Sequence, residues 1–237
     1  MVPVAESAPG PRGLARTLPE VAIADPVIRL VPSRYPPVGL FDVARDAEEL
    51  DLLAELEGLT NPRLRDEIGQ IALVPAAERM LGPGCTPIMA AFCHPAPSRF
   101  TDGSFGVYYA AATAATAIAE TRHHRERFLR EARIGPEVLE MRGYLSRLVV
   151  PLSALPDEPA LRDPLSYSAS QPFGARARAD GCNGLAYTSV RDPDGGSCVA
   201  AFRPRALTPV VQGAHYRYYW NGMAIDGVEE YRRLPLR

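Results

Sequence analysis

The sequence contains no lysine. Its 26 basic residues, all arginine, stand against 28 acidic ones, and no basic tract interrupts the chain. That balance argues against a nucleic-acid-binding arm, so direct nucleic-acid binding is not expected. Nowhere do about eighteen apolar residues run together, and the opening "MVPVAESAPGPRGLARTLPE" lacks an apolar segment of signal-peptide length. The expectation is a cytoplasmic protein with no membrane attachment. Cysteines are few: Cys85, Cys93, Cys182 and Cys198. A chain of 237 residues needs no disulfide staples, and reduced thiols follow. Cys85, Cys93 and His94 fit no zinc-ligand spacing, so no structural metal is expected. Also missing are G-x-S-x-G, H-E-x-x-H, the P-loop and the glycine-rich dinucleotide loop, which removes serine-hydrolase elbows, zincins, phosphate-cradle enzymes and Rossmann sites.

What is present is irregular. Residues 1 to about 20 are rich in Pro, Gly and Ala and read as a flexible tail, leaving 21–237 as a single domain. "PVIRLVPSRYPP" alternates like a short strand before a proline turn. "ARDAEELDLLAELEGLTNPRLRDEIG" reads as a helical insertion at about 44–70, with Leu50, Leu53 and Leu56 inward and a break at Asn61-Pro62. Phe105 to Ala110 and "YLSRLVVPLSAL" look like strands, "SQPFGARARAD" like a short helix, and "NGLAYTSV" and "SCVAAFRP" like a strand pair around "RDPDGG". The class is α+β, with a mixed, mostly antiparallel sheet core flanked by helices.

One carboxylate is out of place. In "AAATAATAIAETRHHRERF" Glu120 sits in a run of alanines that should be helical from about Ala111 onward. Thr113, Thr116, Glu120, His123 and Arg127 follow spacings of three and four and share one polar stripe. A helix this small and apolar over the rest of its circumference packs inside a protein, where a carboxylate is costly without a partner. The residue is paired with His123 or His124, or simply belongs to an exposed stripe, or it belongs to an active site. His123 and His124 themselves read as surface residues. Gln171, at the start of a helix, is a minor candidate.

Other chemistry-bearing residues are scattered: Arg34 and Tyr35 in "SRYPP", Arg99 and Tyr109 in "SRFTDGSFGVYYA", and Ser189 in "AYTSVRD". With "TAIAE" between them, these motifs resemble, in their order, the RES domain, named for its Arg, Glu and Ser. The resemblance covers about Val27 to Leu207. It implies a fold similar to ADP-ribosyltransferase toxins such as diphtheria toxin, and a toxin paired with an Xre-type antitoxin, acting on NAD in an oligomeric toxin–antitoxin complex. Catalytic residues carried over are Glu120, Arg34 and Ser189; substrate-binding ones are Tyr35, Arg99 and Tyr109. "PSRFTDG" departs from the Gly-Gly-Arg-Trp-Asn often seen around the second arginine.

The chemistry accounts for these residue types. Cleaving nicotinamide from ribose passes through an oxocarbenium-like cation that a carboxylate such as Glu120 stabilises, directly or by holding the ribose hydroxyls. Arginine forks suit the diphosphate, and the tyrosines offer stacking faces. Ser189 has no base in its motif and reads as a donor that orients substrate. NAD is here a substrate, with inorganic phosphate as a conceivable co-substrate and no separate cofactor. An ADP-ribosyltransferase with a protein target and a catalytically silent antitoxin-binding partner are the alternatives. The C-terminal "HYRYYWNG" and the leucine-rich helix near Leu52 are candidate contact surfaces that also fit ordinary packing.

Overall fold

The computed structural model describes residues 13–33, 39–58 and 68–232. Within them the chain is α+β, built on one nine-stranded sheet. The strands are β1 Glu20–Val21, β2 Val27–Pro32, β3 Tyr108–Ala111, β4 Glu137–Ser146, β5 Leu152–Ala154, β6 Gly184–Thr188, β7 Ser197–Ala201, β8 Val211–Trp220 and β9 Ile225–Tyr231. Their spatial order is β1-β5-β6-β7-β3-β2-β4-β8-β9. Every neighbouring pair is antiparallel except β5 and β6. A parallel pair needs a crossover, and the helix Ser170–Ala179 supplies it.

The helices are α1 Leu14–Thr17, α2 Leu40–Val43, α3 Ala47–Gly58, α4 Thr86–Cys93, α5 Ala114–Glu131 and α6 Ser170–Ala179. Strand alternation divides the core between the two sheet faces. Val27, Tyr108, Ala110, Val199 and Ala201 point to one face and pack with α4, Phe41 and Leu50. The opposite face carries two clusters side by side. Leu185, Ala200 and Phe202 meet Phe173 and Ala177 of α6, while Leu30, Ala111, Met141, Tyr216, Tyr218 and Trp220 meet Ala117 and Leu129 of α5. Tyr187 packs against both clusters.

Several expectations need correction. The helix begins at Ala114 rather than Ala111, because Thr113 adopts an extended conformation and caps it, its hydroxyl accepting the Thr116 N–H at 3.1 Å. The strand before it starts only at Tyr108. "YLSRLVVPLSAL" is not one strand but the end of β4 and the separate β5. "HYRYYWNG" takes its ordinary-packing reading: Tyr216, Tyr218 and Trp220 lie on the inward side of β8 and are buried. Residues 13–20, placed in a tail by their composition, are seated on the fold. The Leu14 amide donates to Asp180 at 2.9 Å, Leu14 and Leu18 cover the α6 cluster, and β1 pairs with β5. Leu50 is inward as expected, whereas Arg34, Tyr35, the second half of the helical insertion and the side chains of Leu53 and Leu56 lie outside the described residues.

Candidate active site

Where the two clusters part, a cavity of about 150 Å³ with an open mouth enters the sheet beside α5. Ile28, Leu30, Ala110, Ala111 and Ala117 form its apolar floor. Its polar lining comes from Arg29, Ser98, Arg99, Tyr109, Glu120, Thr121, His124, Tyr167 and Tyr187.

Glu120 enters from α5, one turn beyond the alanines that let the helix approach the sheet closely. Its Oε1 accepts a hydrogen bond of 2.6 Å from Ser189 Oγ. Ser189, 5% exposed, follows β6 and accepts the backbone N–H groups of Arg191 at 3.1 Å and Asp192 at 3.0 Å. A hydroxyl has one proton and two lone pairs. With both lone pairs filled by backbone donors, Ser189 donates its proton to Glu120 and has no lone pair free to act as a nucleophile. Among the described residues Oε2 of Glu120 has no hydrogen-bond partner, and the carboxylate lines the cavity. Cys198 Sγ lies 4.0 Å from Oε1. Burial, and then the Glu120 charge, push its thiol up to about 12, so it stays protonated.

The facing wall is arginine. β2 and β3 are bonded only at Ile28↔Ala111, and beyond that pair the edge of β3 is open. Arg29 reaches into this opening: Nη1 donates to the Tyr109 carbonyl at 3.1 Å and the guanidinium lies 4.8 Å over the Tyr108 ring. Its Nε is shielded from solvent and has no hydrogen-bond partner among the described residues. Burial lowers the Arg29 pKa, an effect that Tyr108 and Tyr109 partly offset; the group stays a cation. Arg29 was not singled out from the sequence. The signal was there, an arginine between Val27 and Val31 on a strand face that should be buried.

Tyr109 and Arg99 are at the cavity but differently engaged from expectation. The Tyr109 hydroxyl pairs with Ser98 Oγ at 2.9 Å and accepts the Phe100 N–H at 3.1 Å, so only its ring is offered to a ligand. Burial pushes its phenol up to about 12. Arg99, 8% exposed, gives Nη1 to the carbonyls of Leu161 and Asp163 at 3.3 and 3.2 Å and stacks 5.0 Å from the Tyr167 ring. It ties down the segment that carries Tyr167, and this commitment removes one corner of the fork expected to anchor a diphosphate. Gln171 donates to the Ser98 carbonyl at 3.0 Å and supports the wall from behind. Gly174 of α6 sits so close to the Phe100 carbonyl that any Cβ would collide with it.

His124 is exposed, as a surface reading expects, and it also lines the cavity one turn after Glu120. Packing around it, and then the charges of His123, Arg127, Arg191 and Arg125, push it down to about 4, which leaves the imidazole neutral near pH 7. Tyr187 is pushed well up, by burial first and then by Cys198 and Glu120.

The site therefore combines one oriented carboxylate, two arginines of which Arg99 is already engaged with backbone carbonyls, flat aromatic faces and an apolar floor. That set can hold an anionic, ring-bearing ligand and stabilise positive charge developing beside Glu120. The comparisons agree with the family resemblance read from the sequence. An uncharacterized protein, y4oC, of Sinorhizobium fredii (strain NBRC 101917 / NGR234) is 31% identical over 213 residues, covering 87% of this chain and 88% of that protein. The RES domain matches residues 76–221, which takes in Arg99, Tyr109, Glu120 and Ser189, starts after β2 and runs past Leu207 through β8. With that match over more than half its length, the chain belongs to the RES domain family.

Proposed function

We propose that this chain is an NAD-degrading toxin that cleaves the bond between nicotinamide and ribose, and that an antitoxin of the Xre type restrains it. The observation that carries the reading is the Glu120 carboxylate, fixed by the Ser189 hydroxyl at 2.6 Å on the wall of a cavity that also offers Arg29. Breaking the C1″–N bond sends its electron pair to the pyridinium nitrogen and releases neutral nicotinamide, so the leaving group needs no proton. Positive charge is left on the ribose as an oxocarbenium-like centre, and Glu120 stabilises it or grips the ribose hydroxyls. Ser189 holds the carboxylate in one orientation, which lowers the reorganisation needed as charge develops. Arg29 supplies the charge for the diphosphate, and Tyr109, Tyr167 and Tyr187 supply faces for the rings.

Water attacking C1″ yields ADP-ribose and a proton, and phosphate attacking it yields ADP-ribose 1″-phosphate. The test is to incubate the purified chain with NAD, with and without phosphate, and to identify the products by mass. Free nicotinamide is expected, with Glu120→Gln slower by about 10²–10³-fold. Intact NAD after prolonged incubation overturns the reading. Label retained on a macromolecule in a lysate supplied with adenine-labelled NAD points instead to an ADP-ribosyltransferase.

A further inference from the structure

The Ser189 hydroxyl orients Glu120, and something must orient Ser189. Its two backbone donors, the amides of Arg191 and Asp192, belong to the loop between β6 and β7. That loop does not stand alone. Asp192 Oδ2 accepts a 2.7 Å hydrogen bond from Thr116 Oγ1, in the first turn of α5. Thr116 is 1% exposed, and its oxygen receives the Thr113 hydroxyl at 2.8 Å. Because Thr116 gives its proton to a carboxylate, the direction of the chain is set: Thr113 to Thr116 to Asp192. Asp192 Oδ1 accepts the Asp194 N–H at 3.1 Å, closing the loop on itself. Gly196 lies directly against Thr116 Oγ1 and Asp192 Oδ2, and no side chain fits between them. The Thr116 hydroxyl first, and then the amides of Asp194 and Gly196, hold the Asp192 carboxyl below the usual range, so it is ionised near neutral pH.

These contacts form a closed circuit: Glu120 to Ser189, Ser189 to the Arg191 and Asp192 amides, Asp192 to Thr116, and Thr116 back along one helical turn to Glu120. Neither Thr116 nor Asp192 lines the cavity. We infer that Thr116 and Asp192 are positioning residues which act on the reaction only through Ser189, by holding the loop whose amides force the serine proton toward Glu120. This rests on the proposed role of Glu120 at the glycosidic bond. Two residues 76 positions apart thus set the orientation of a carboxylate that neither touches.

The test uses Thr116→Val, which keeps the volume and removes the hydroxyl, and Thr116→Ser, which restores it, each also combined with Ser189→Ala. For NAD cleavage, Thr116→Val is expected to lower kcat about tenfold with KM unchanged, the scale of one lost hydrogen bond. Thr116→Ser should recover wild-type kcat. In the Ser189→Ala background Thr116→Val should cost nothing more, because the residue it acts through is gone. Amide hydrogen exchange gives a readout independent of substrate: the Arg191 and Asp192 amides should exchange about tenfold faster in Thr116→Val, while those of Val199 and Ala200 keep their protection. Asp192→Asn, which keeps the side-chain shape, should move both readouts the same way and serves if Thr116→Val folds poorly. An equal kcat loss in both serine backgrounds, or unchanged exchange at Arg191 and Asp192, overturns the inference. If the wild-type chain leaves NAD intact, the proposed reaction fails by itself, and the exchange measurement still decides the circuit.

Discussion

On the α5 side of the cavity Ser189 has no hydrogen-bonding capacity left over: two amides fill its lone pairs and Glu120 takes its proton. On the β2 side Arg29 makes one bond to a carbonyl, rests on a tyrosine face and, among the described residues, keeps a solvent-shielded Nε without a partner. Ser189 is saturated by its own neighbours, whereas the Arg29 guanidinium keeps donors uncommitted within the described residues. The contrast separates two tasks, since orienting a carboxylate calls for rigidity fixed in advance, whereas capturing a charged substrate calls for valence still unspent.

Three experiments probe this contrast beyond the Glu120 and Thr116 variants. The largest effect is expected at Arg29. Arg29→Lys keeps the charge but loses the fork, and kcat/KM for NAD should fall about 10–100-fold, mainly through KM. A change confined to kcat would move Arg29 from capture to the reacting centre. Next, Tyr109→Phe removes a hydroxyl engaged with Ser98 and the Phe100 amide. It should cost about 1–3 kcal/mol of stability in denaturant titration, with kcat nearly unchanged. A collapse of kcat with full stability would show that the phenol reaches substrate.

The smallest effect concerns pH. The His124 pKa is depressed to about 4 in the fold, against about 6.5 for an unfolded histidine. Between those values the unfolded chain binds more protons, so the stability associated with neutral His124 is present above pH 6.5 and lost as pH falls toward 4. His124→Gln should flatten that part of a stability–pH profile measured by urea unfolding. An unchanged profile assigns the acid sensitivity to other groups.

Glu120 could be found in the sequence because a carboxylate among alanines is a conflict between composition and burial. Ser189 could be found only through its place in a family pattern, since a serine at a strand end is ordinary. Arg29 and Arg34 stand five residues apart in one strand-and-turn segment, and the motif drew attention to the latter, which lies outside the described residues. Counting by twos from Val27 places Arg29 on the buried side, the cue that distinguishes it. β8 carries a plain period-two pattern, Tyr216, Tyr218 and Trp220 inward, blurred by Tyr219 between the last two. The link from Thr116 to Asp192 had no local signal at all, because only the docking of the β6–β7 loop against α5 brings the two together.

The order of strands bears on when the cavity around Glu120 is assembled. β3 lies between β2 and β7, and the serine that orients Glu120 arrives just before β7. During synthesis the helix with its carboxylate leaves the ribosome some seventy residues ahead of Ser189. Until then β3 has an unpaired side and Glu120 has no orienting hydroxyl. A growing or prematurely truncated chain thus lacks the hydroxyl that orients Glu120. If the finished protein consumes a cofactor that its own host needs, translation itself imposes a delay, and a partner made in the same interval has that time to reach it.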